Sequence, residues 1–332
     1  MRSYVTLRHA PLLLFALLLA LGACQRRESV DTLRSAYYWS TTWKMDSAKV
    51  RFIRQHHIRR LYVRYFDVVR DADGQARPNA TLRFPDEMGW GGEHAAPTSP
   101  VPRGVEVVPV VYLVNDCLRP APHATSPDTL ATMVLRRILA MSQAHGLQDI
   151  REVQVDCDWT ATTAHAYFRF LTTLRQQAHG RHLRLSATIR LHQLALEAPP
   201  VDRGVLMMYN TGDARRLACH KPILDMAAAA PYLGHLAAYP LPLAAAYPLF
   251  TWRILFREGR FVGFLHADDD LPVLPGDSIV VRRPELTDIL QAVRAIRLRR
   301  PDACDEVILF DLSTPNILRF NPLDYDKIYR HP

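Results

Sequence analysis

Strand-like and helix-like stretches alternate along most of the chain. Runs rich in β-branched and aromatic residues are separated by segments in which apolar residues recur at helical spacing. The third run is almost entirely apolar, which is typical of a strand buried on both faces. The eight predicted strands are SAYYWSTTW, IRRLYVRYFDVV, VEVVPVVYLVND, REVQVDCDWT, LRLSATIRLHQL, GVLMMYNTG, LPLAAAYPLFTW and EVILFDLSTP.

Helix signals stand between these strands. Ser126 is an N-cap candidate for a helix that Gly146 ends. The stretch WRILFREGRFVGFL, which overlaps the end of the seventh strand, predicts an added hairpin that turns at 258–259. Three further helices are bounded by Gly180, Pro222 and Pro284.

Eight strands alternating with helices predict one (β/α)8 TIM barrel over residues 35–332, with the hairpin added after strand 7. A doubly wound open sheet is the alternative. No glycine-rich phosphate turn follows the first strand, so the sequence favours the barrel and predicts no nucleotide cofactor. The Pro- and Gly-rich stretch 70–103 follows the second strand and is expected on the catalytic face.

The first residues have the pattern of an export signal. Arg2 and Arg8 precede the apolar run APLLLFALLLALGAC, which is too short for a comfortable membrane span. Its end, Leu-Gly-Ala-Cys, resembles the lipobox of bacterial lipoproteins. That resemblance implies a signal peptide over 1–23, acylation of Cys24, a tether over 24–34 and a membrane-anchored protein of the bacterial cell envelope, facing the periplasm or the exterior. A secretory signal with an incidental cysteine, or an uncleaved anchor, is the alternative.

Composition narrows the function further. Apolar residues make up 48% of the chain and charged residues 22%, as in globular enzymes. The net charge of +8 is dispersed, and no nucleic-acid motif accompanies it. No two cysteines form a CxxC pair, so we expect no metal site. No pattern specifies an oligomeric state. The cysteines after Cys24 are Cys117, Cys157, Cys219 and Cys304.

Polar and aromatic residues collect at the predicted strand ends, where a barrel carries its chemistry. Asp156 and Asp158 share one face of the fourth strand, and other acids end neighbouring strands. Carboxylates, amides and flat rings in a cleft suit a sugar. Alternatively, Arg64 or Arg190 pairs with these aspartates to hold the barrel together. The candidate catalytic residues are Asp158, Asp156 and Asp116; the candidate binding residues are Tyr209, Asn210, Asn115, Trp39, Trp159, Arg190 and Arg64.

At these residues the chain resembles the glycoside hydrolase family 18 barrels, the chitinases and related endo-acting hexosaminidases. Their fourth strand carries D-G-x-D-x-D-x-E, in which the last glutamate is the general acid and the preceding aspartate orients the N-acetyl group. Asp156 and Asp158 match its second and third aspartates. The family's M-x-Y-D on strand six matches Met-Met-Tyr-Asn at 207–210. The resemblance covers about a dozen residues and implies distant kinship within a group of uncharacterised bacterial lipoproteins.

The chain departs from that family where the chemistry takes place. Thr160 stands at the position of the general acid, Val153 at the first aspartate and Asn210 at the aspartate of strand six. Threonine donates no proton as an acid near neutral pH, so the family's mechanism lacks its central group. Three hypotheses stay open: a glycan-binding envelope barrel, which the missing glutamate favours; an active glycosidase with a relocated acid; and a structural or partner-binding lipoprotein. Candidates for the relocated acid are Asp67, Asp116 and Asp311.

Overall fold

Eight parallel strands close into a barrel in the computed structural model, which describes residues 32–84, 101–147, 149–265 and 271–330. The barrel closes because β1 pairs with both β2 and β12. Its strands are β1, β2, β4–β8 and β12. In chain order, the strands are β1 Leu33–Tyr38, β2 Arg60–Arg70, β3 Ala76–Asn79, β4 Glu106–Leu113, β5 Glu152–Asp156, β6 Arg184–Arg190, β7 Arg203–Met207, β8 Leu243–Pro248, β9 Trp252–Arg257, β10 Arg260–Leu265, β11 Ser278–Arg282 and β12 Glu306–Phe310.

Helices cover the outside of the barrel. Ser126 caps the longest described helix, as predicted, because its hydroxyl oxygen accepts a hydrogen bond from the backbone N–H of Thr129 at 3.2 Å. Within the described ranges, no helix is long and apolar enough to span a membrane. The helices are α1 Ser47–Gln55, α2 Pro127–Ala144, α3 Ala164–His179, α4 Met226–Leu233, α5 Leu286–Arg299, α6 Thr314–Ile317 and α7 Pro322–Arg330.

The TIM-barrel prediction is confirmed, and so is the added hairpin. The hairpin of β9 and β10 gains a third strand, β11, in the order β10-β9-β11. One further strand, β3, pairs antiparallel with the end of β2. The predicted signal peptide and the predicted acylation site, Cys24, lie outside the described residues. Leu33–Pro332 forms one compact unit.

Most of the predicted strands end earlier than their sequence patterns suggested, among them the fourth and the fifth. β5 ends at Asp156, and β6 ends at Arg190, where residues 191–195 turn into a short 3₁₀ helix. The Gln193 side chain stabilises that turn: it accepts from the Arg190 backbone N–H at 2.8 Å and donates to the Trp159 carbonyl at 2.9 Å. The predicted fifth strand LRLSATIRLHQL included His192, and that part of the prediction is wrong: His192 lies on this exposed 3₁₀ turn.

Charged residues fill the lower interior of the barrel, at the amino ends of the strands. Glu306 is 4% exposed and accepts hydrogen bonds from Ser35 at 2.6 Å, Tyr62 at 3.0 Å and Arg60 at 2.9 Å. Arg203 also donates to this carboxylate. Burial acts to raise the pKa of Glu306, but the nearby guanidinium groups outweigh it and hold the pKa below its ordinary value. We call this set the floor network.

Further layers of polar contacts stack above the floor network. The next inward residue of β5 after Glu152 is Gln154, whose side-chain oxygen accepts from the Tyr37 hydroxyl at 2.5 Å. Its amide nitrogen donates to Ser186 at 3.2 Å. Because the strand period is two, Asp156 is the next inward residue, and it lies at the top of the barrel. The inward face of β5 is therefore polar over its whole length although it is fully buried.

Loss of the Glu306 carboxylate should destabilise the protein strongly. Glu306→Ala leaves Arg60 and Arg203 buried beside a cavity, so we expect the free energy of unfolding to fall by about 3–5 kcal/mol. Urea unfolding followed by circular dichroism measures the change. Glu285→Ala is the control, because Glu285 and Arg283 form an exposed pair, and such pairs contribute at most about 1 kcal/mol. An equal effect of both changes would show that the floor network is not structurally important.

His56 should make the protein less stable in mild acid. Its ring is buried between Phe52 and Tyr325, and burial lowers its pKa even though Asp326, 3.5 Å away, acts in the opposite direction. The unfolded chain therefore binds the proton first, and stability is lost as the pH falls below about 6.5. Urea unfolding between pH 8 and pH 5, taken as about the span of the histidine titration, measures this loss.

The variant His56→Phe should flatten this part of the pH dependence, because it cannot take up a proton. The exposed neighbour His57 provides the matched control, and His57→Asn should keep the wild-type slope. A His56→Phe slope equal to that of the wild type would contradict the assignment.

Candidate functional site

Aromatic rings line one half of the barrel mouth. Trp39 follows β1, Phe310 ends β12, Tyr209 follows β7 and Phe250 follows β8. Neighbouring ring centroids lie 5.2 Å apart for Trp39 and Phe310, 5.3 Å for Phe310 and Tyr209, and 5.4 Å for Tyr209 and Phe250. Trp252 of β9 continues the row 5.5 Å from Phe250. We call these five residues the aromatic platform; four of them are partly exposed, and Tyr209 is buried.

Two members of the platform were not identified from the sequence. Phe310 ends the apolar strand sequence EVILF and was therefore not recognised as a candidate binding residue. It shares strand parity with Glu306, which points into the barrel. Phe250 follows the all-buried strand β8 and carried no polar signal. The parity of Phe310 with an inward-pointing polar residue of the same strand could have indicated that its ring faces the barrel interior.

Asp156 and Arg190 form an ion pair on the opposite, polar half of the mouth. Asp156 is 4% exposed and accepts from Arg190 at 2.8 Å and from the Thr188 hydroxyl at 2.6 Å. Burial acts to lower the pKa of Arg190, but the acidic groups around it, with Asp156 the strongest, together outweigh burial and raise the pKa. Asp156 is thus held as a paired carboxylate, which is the structural role weighed from the sequence.

Arg64 forms a second pair beside the first. Its guanidinium binds both carboxylate oxygens of Asp67, with the Nε–Oδ1 distance at 2.7 Å. The same guanidinium lies over the Trp39 ring, 5.3 Å from its centroid. Arg64 therefore joins the polar half to the aromatic platform, and its partner is Asp67 rather than Asp156 or Asp158.

Asp158 and Thr160 lie at the exposed rim beyond the end of β5. The Asp158 side chain is 61% exposed, and the Nε2 atom of His192 lies 3.9 Å from its carboxylate. The Thr160 hydroxyl lies 2.9 Å from that of Thr162. Thr160 therefore presents a hydroxyl at the exposed rim.

The other sequence-predicted residues are divided between the mouth and the surface. Asn115 accepts a hydrogen bond from the Thr163 hydroxyl at 2.6 Å. Asp116 is exposed and paired with Arg119 at 3.3 Å. Asn210 is exposed and has a positive φ of 58°, a backbone conformation that asparagine tolerates better than most residues.

Trp159 does not lie at the mouth, contrary to the expectation. Its side chain is 1% exposed and packs 5.9 Å from Tyr167 and 5.2 Å from Phe168, ring centre to ring centre. Because β5 ends at Asp156, the chain turns after the strand, and Trp159 enters the layer between barrel and helix α3. This ring stabilises the fold and has no surface to offer a ligand.

The polar and aromatic halves adjoin at Tyr209. Burial raises the pKa of its phenol; Arg190 acts to lower this pKa, and the charges of Asp156 and Asp311 act to raise it. Asp311 itself accepts from the backbone of Ser313 at 3.0 Å and from the Asn316 amide at 2.7 Å. The mouth thus combines flat rings with fixed hydrogen-bonding groups.

The mouth offers few groups for acid chemistry. Asp156 and Asp67 are committed to arginines, and Asp311 to an amide and a backbone N–H. In the part of the chain that the structure describes, no group of three or more His, Cys, Asp or Glu side chains could hold a metal ion. The arrangement is suited to binding a neutral polyhydroxylated ligand.

Comparison with solved structures places this fold among chitinase-like barrels. The spore cortex-lytic enzyme SleL of Bacillus cereus is 13% identical, with a TM-score of 0.54 over 90% of this chain and 74% of that one. Chromobacterium violaceum chitinase is 11% identical, with a TM-score of 0.54 over 90% and 98%. The Ostrinia furnacalis Group II chitinase catalytic domain 2, in complex with penta-N-acetylchitooctaose, is 11% identical, with a TM-score of 0.58 over 91% and 97%.

These similarities concern the fold. No protein-family model matches the chain, and no curated protein matches it in sequence. The resemblance to glycoside hydrolase family 18-type barrels, based on two short motifs, is nevertheless confirmed at the level of structure. Shared fold at this identity does not carry activity with it.

Substitution of the two aspartates should separate their roles. Asp156→Ala leaves Arg190 and Thr188 without their acceptor, so we expect the free energy of unfolding to fall by about 2–4 kcal/mol. Asp158→Ala removes an exposed carboxylate, and we expect a change below about 1 kcal/mol. Urea unfolding of both variants measures this difference. Equal losses would mean that Asp156 is not the structural member of the pair.

Proposed function

We propose that this protein binds a β-linked glycan in the barrel mouth and does not hydrolyse it. One observation carries the proposal: the aromatic platform faces a polar half whose central acids are already paired. Aromatic faces cover the apolar faces of pyranose rings, and fixed polar groups bind their hydroxyls. The chitinases and the cortex-lytic enzyme that share this fold support a glycan as the ligand.

The chemistry of the mouth supports binding over hydrolysis. A glycosidase needs one carboxyl group that donates a proton and a second group that assists on the other side of the bond. Asp156 is held by Arg190 and Thr188, and Thr160 carries only a hydroxyl. Asp158 is exposed at the rim and lacks the buried setting that adapts a carboxyl group for acid catalysis.

The proposed location of this binding is the bacterial cell envelope. The apolar run before Cys24 and the lipobox-like Leu-Gly-Ala-Cys support a lipid-anchored protein. An anchored barrel with a glycan-binding mouth would hold its membrane close to an envelope polysaccharide. Mass spectrometry of the protein expressed in bacteria and purified from membranes tests the anchor, and Cys24→Ser should abolish the added acyl mass.

Glycan binding can be tested with the chain from Gln25 onward, which retains the compact unit Leu33–Pro332. We expect isothermal titration calorimetry to show binding to chito-oligosaccharides or peptidoglycan fragments, and product analysis of the same mixtures to show no hydrolysis. Trp39→Ala should weaken binding about fivefold to thirtyfold, because a stacking ring contributes about 1–2 kcal/mol.

Tyr232→Ala is the matched control, because this aromatic side chain is exposed on α4, away from the aromatic platform. It should bind as the wild type does. Turnover of any of these glycans that Asp158→Asn removes would overturn the proposal in favour of a glycosidase with a relocated acid. If the protein bound none of the chito-oligosaccharides or peptidoglycan fragments, the proposal of glycan binding in the mouth would be wrong.

A further inference from the structure

The three-stranded sheet beside the mouth has one open edge. β11 pairs along its whole length with β9, from Ser278 opposite Phe256 to Arg282 opposite Trp252. Between described residues, no backbone hydrogen bond reaches its other side. An edge of this kind carries unpaired N–H and C=O groups that can pair with another strand.

The two edges of this sheet differ. β10 carries an irregularity in register between Phe261 and Gly263, and Leu271 packs against Gly263. β11 has the sequence SIVVR, is regular in register and contains neither proline nor glycine. Bulges and prolines are among the usual protections of an edge. β11 lacks both, so it is the more open edge of the sheet.

β11 also presents apolar side chains to solvent. Ile279 is 41% exposed and Val281 is 53% exposed, and strand parity places both on one face. Val280, on the opposite face, packs on the cluster formed by Ile254 and Phe256. Two β-branched side chains of an edge strand are thus about half exposed on this face.

The net charge of the segment that contains β11 favours a second copy of the chain as the partner of this edge. Residues 252–283 contain five arginines and five acidic residues, so this segment is neutral while the whole chain carries +8. Two copies repel each other least where their surfaces are neutral. An anionic membrane, in contrast, would be drawn to the basic remainder of the molecule rather than to this segment.

The sequence of β11 is complementary to itself. In an antiparallel pair with its two-fold axis at Val280, Ile279 lies opposite the partner's Val281, and Ser278 lies opposite the partner's Arg282. No like charges then face each other, and two β-branched pairs form on the outer face. We propose that β11 is a self-association site, through which two copies join their sheets into one six-stranded sheet.

The association should be weak. A five-residue strand gives a contact smaller than the standard stable interface, so we expect a dissociation constant of about 10 μM to 1 mM. Sedimentation velocity of the chain from Gln25 onward, over concentrations of about 1 μM to 1 mM, should show a reversible monomer–dimer equilibrium. A monomer at every concentration would overturn the proposal.

Matched variants test whether β11 is the contact. Ile279→Lys/Val281→Lys places charges only on the exposed face, and it should abolish the dimer. Val273→Lys/Leu274→Lys is the control: these side chains are 53% and 47% exposed in the preceding loop, outside the strand, and the dimer should persist. A dimer that survives the strand variant, or that both variants abolish equally, would contradict pairing through β11.

Cross-linking tests the register. In the proposed pair, Ile279→Cys/Val281→Cys brings each new cysteine opposite a cysteine of the other copy, at a Cα separation of about 4.5–5.5 Å that a disulfide accepts. Oxidation should give a covalent dimer from the double variant and none from Val281→Cys alone, because two such residues are not opposite each other. Equal yields would exclude this register.

A membrane is the competing occupant. Flotation with vesicles of phosphatidylcholine and phosphatidylglycerol distinguishes it from a second copy. If the wild type floats and Ile279→Lys/Val281→Lys does not, while both stay monomeric in solution, the face docks on lipid and the self-association proposal is wrong. The proposal does not depend on glycan binding in the mouth, so loss of one leaves the other standing.

Discussion

The buried ion pairs of the floor network are the constraint on which the barrel depends. Glu306 can be buried only because Arg60 and Arg203 come from two other strands to meet it. The meeting requires β1 to lie between β12 and β2, with Ser35 opposite both Ile308 and Arg60. A slip of one residue in any of these strands would turn its charge out of the network, so strand order and register are specified together.

Buried and partly buried ion pairs are also present at the mouth, where Arg190 pairs with Asp156 and Arg64 pairs with Asp67. Each pair satisfies its own charges and leaves fixed hydrogen-bonding groups rather than free acids. Ion pairing thus stabilises the barrel at both ends and, at the mouth, leaves Asp156 and Asp67 paired with arginines. The aromatic platform remains available for stacking. The proposed binding function follows from this division between paired charges and exposed rings.

The fold is similar to that of chitinases, and the rim of the mouth includes residues that follow β5. The Thr160 hydroxyl lies beside that of Thr162 at the rim, and Asp158 is turned to solvent. The stability of a barrel comes from its floor and strands, whereas chemistry is carried by residues after the strand ends. A shared scaffold of this kind therefore does not fix the function of its mouth.

The sequence by itself determined the eight strands, the cap at Ser126, the added hairpin and the family resemblance, because these depend on local periodicity and short motifs. It also identified Tyr209, Arg190 and Asp156 as residues at the strand ends. Only the tertiary structure decided which charges pair. Arg64 pairs with Asp67, three residues further along the chain, whereas Arg190 pairs with Asp156 on the neighbouring strand. The tertiary structure also placed Trp159 in the core, since β5 ends at Asp156 and the Trp159 carbonyl accepts a hydrogen bond from Gln193, which is distant in sequence. Pairing of this kind depends on distance in space, which the order of residues along a chain does not contain.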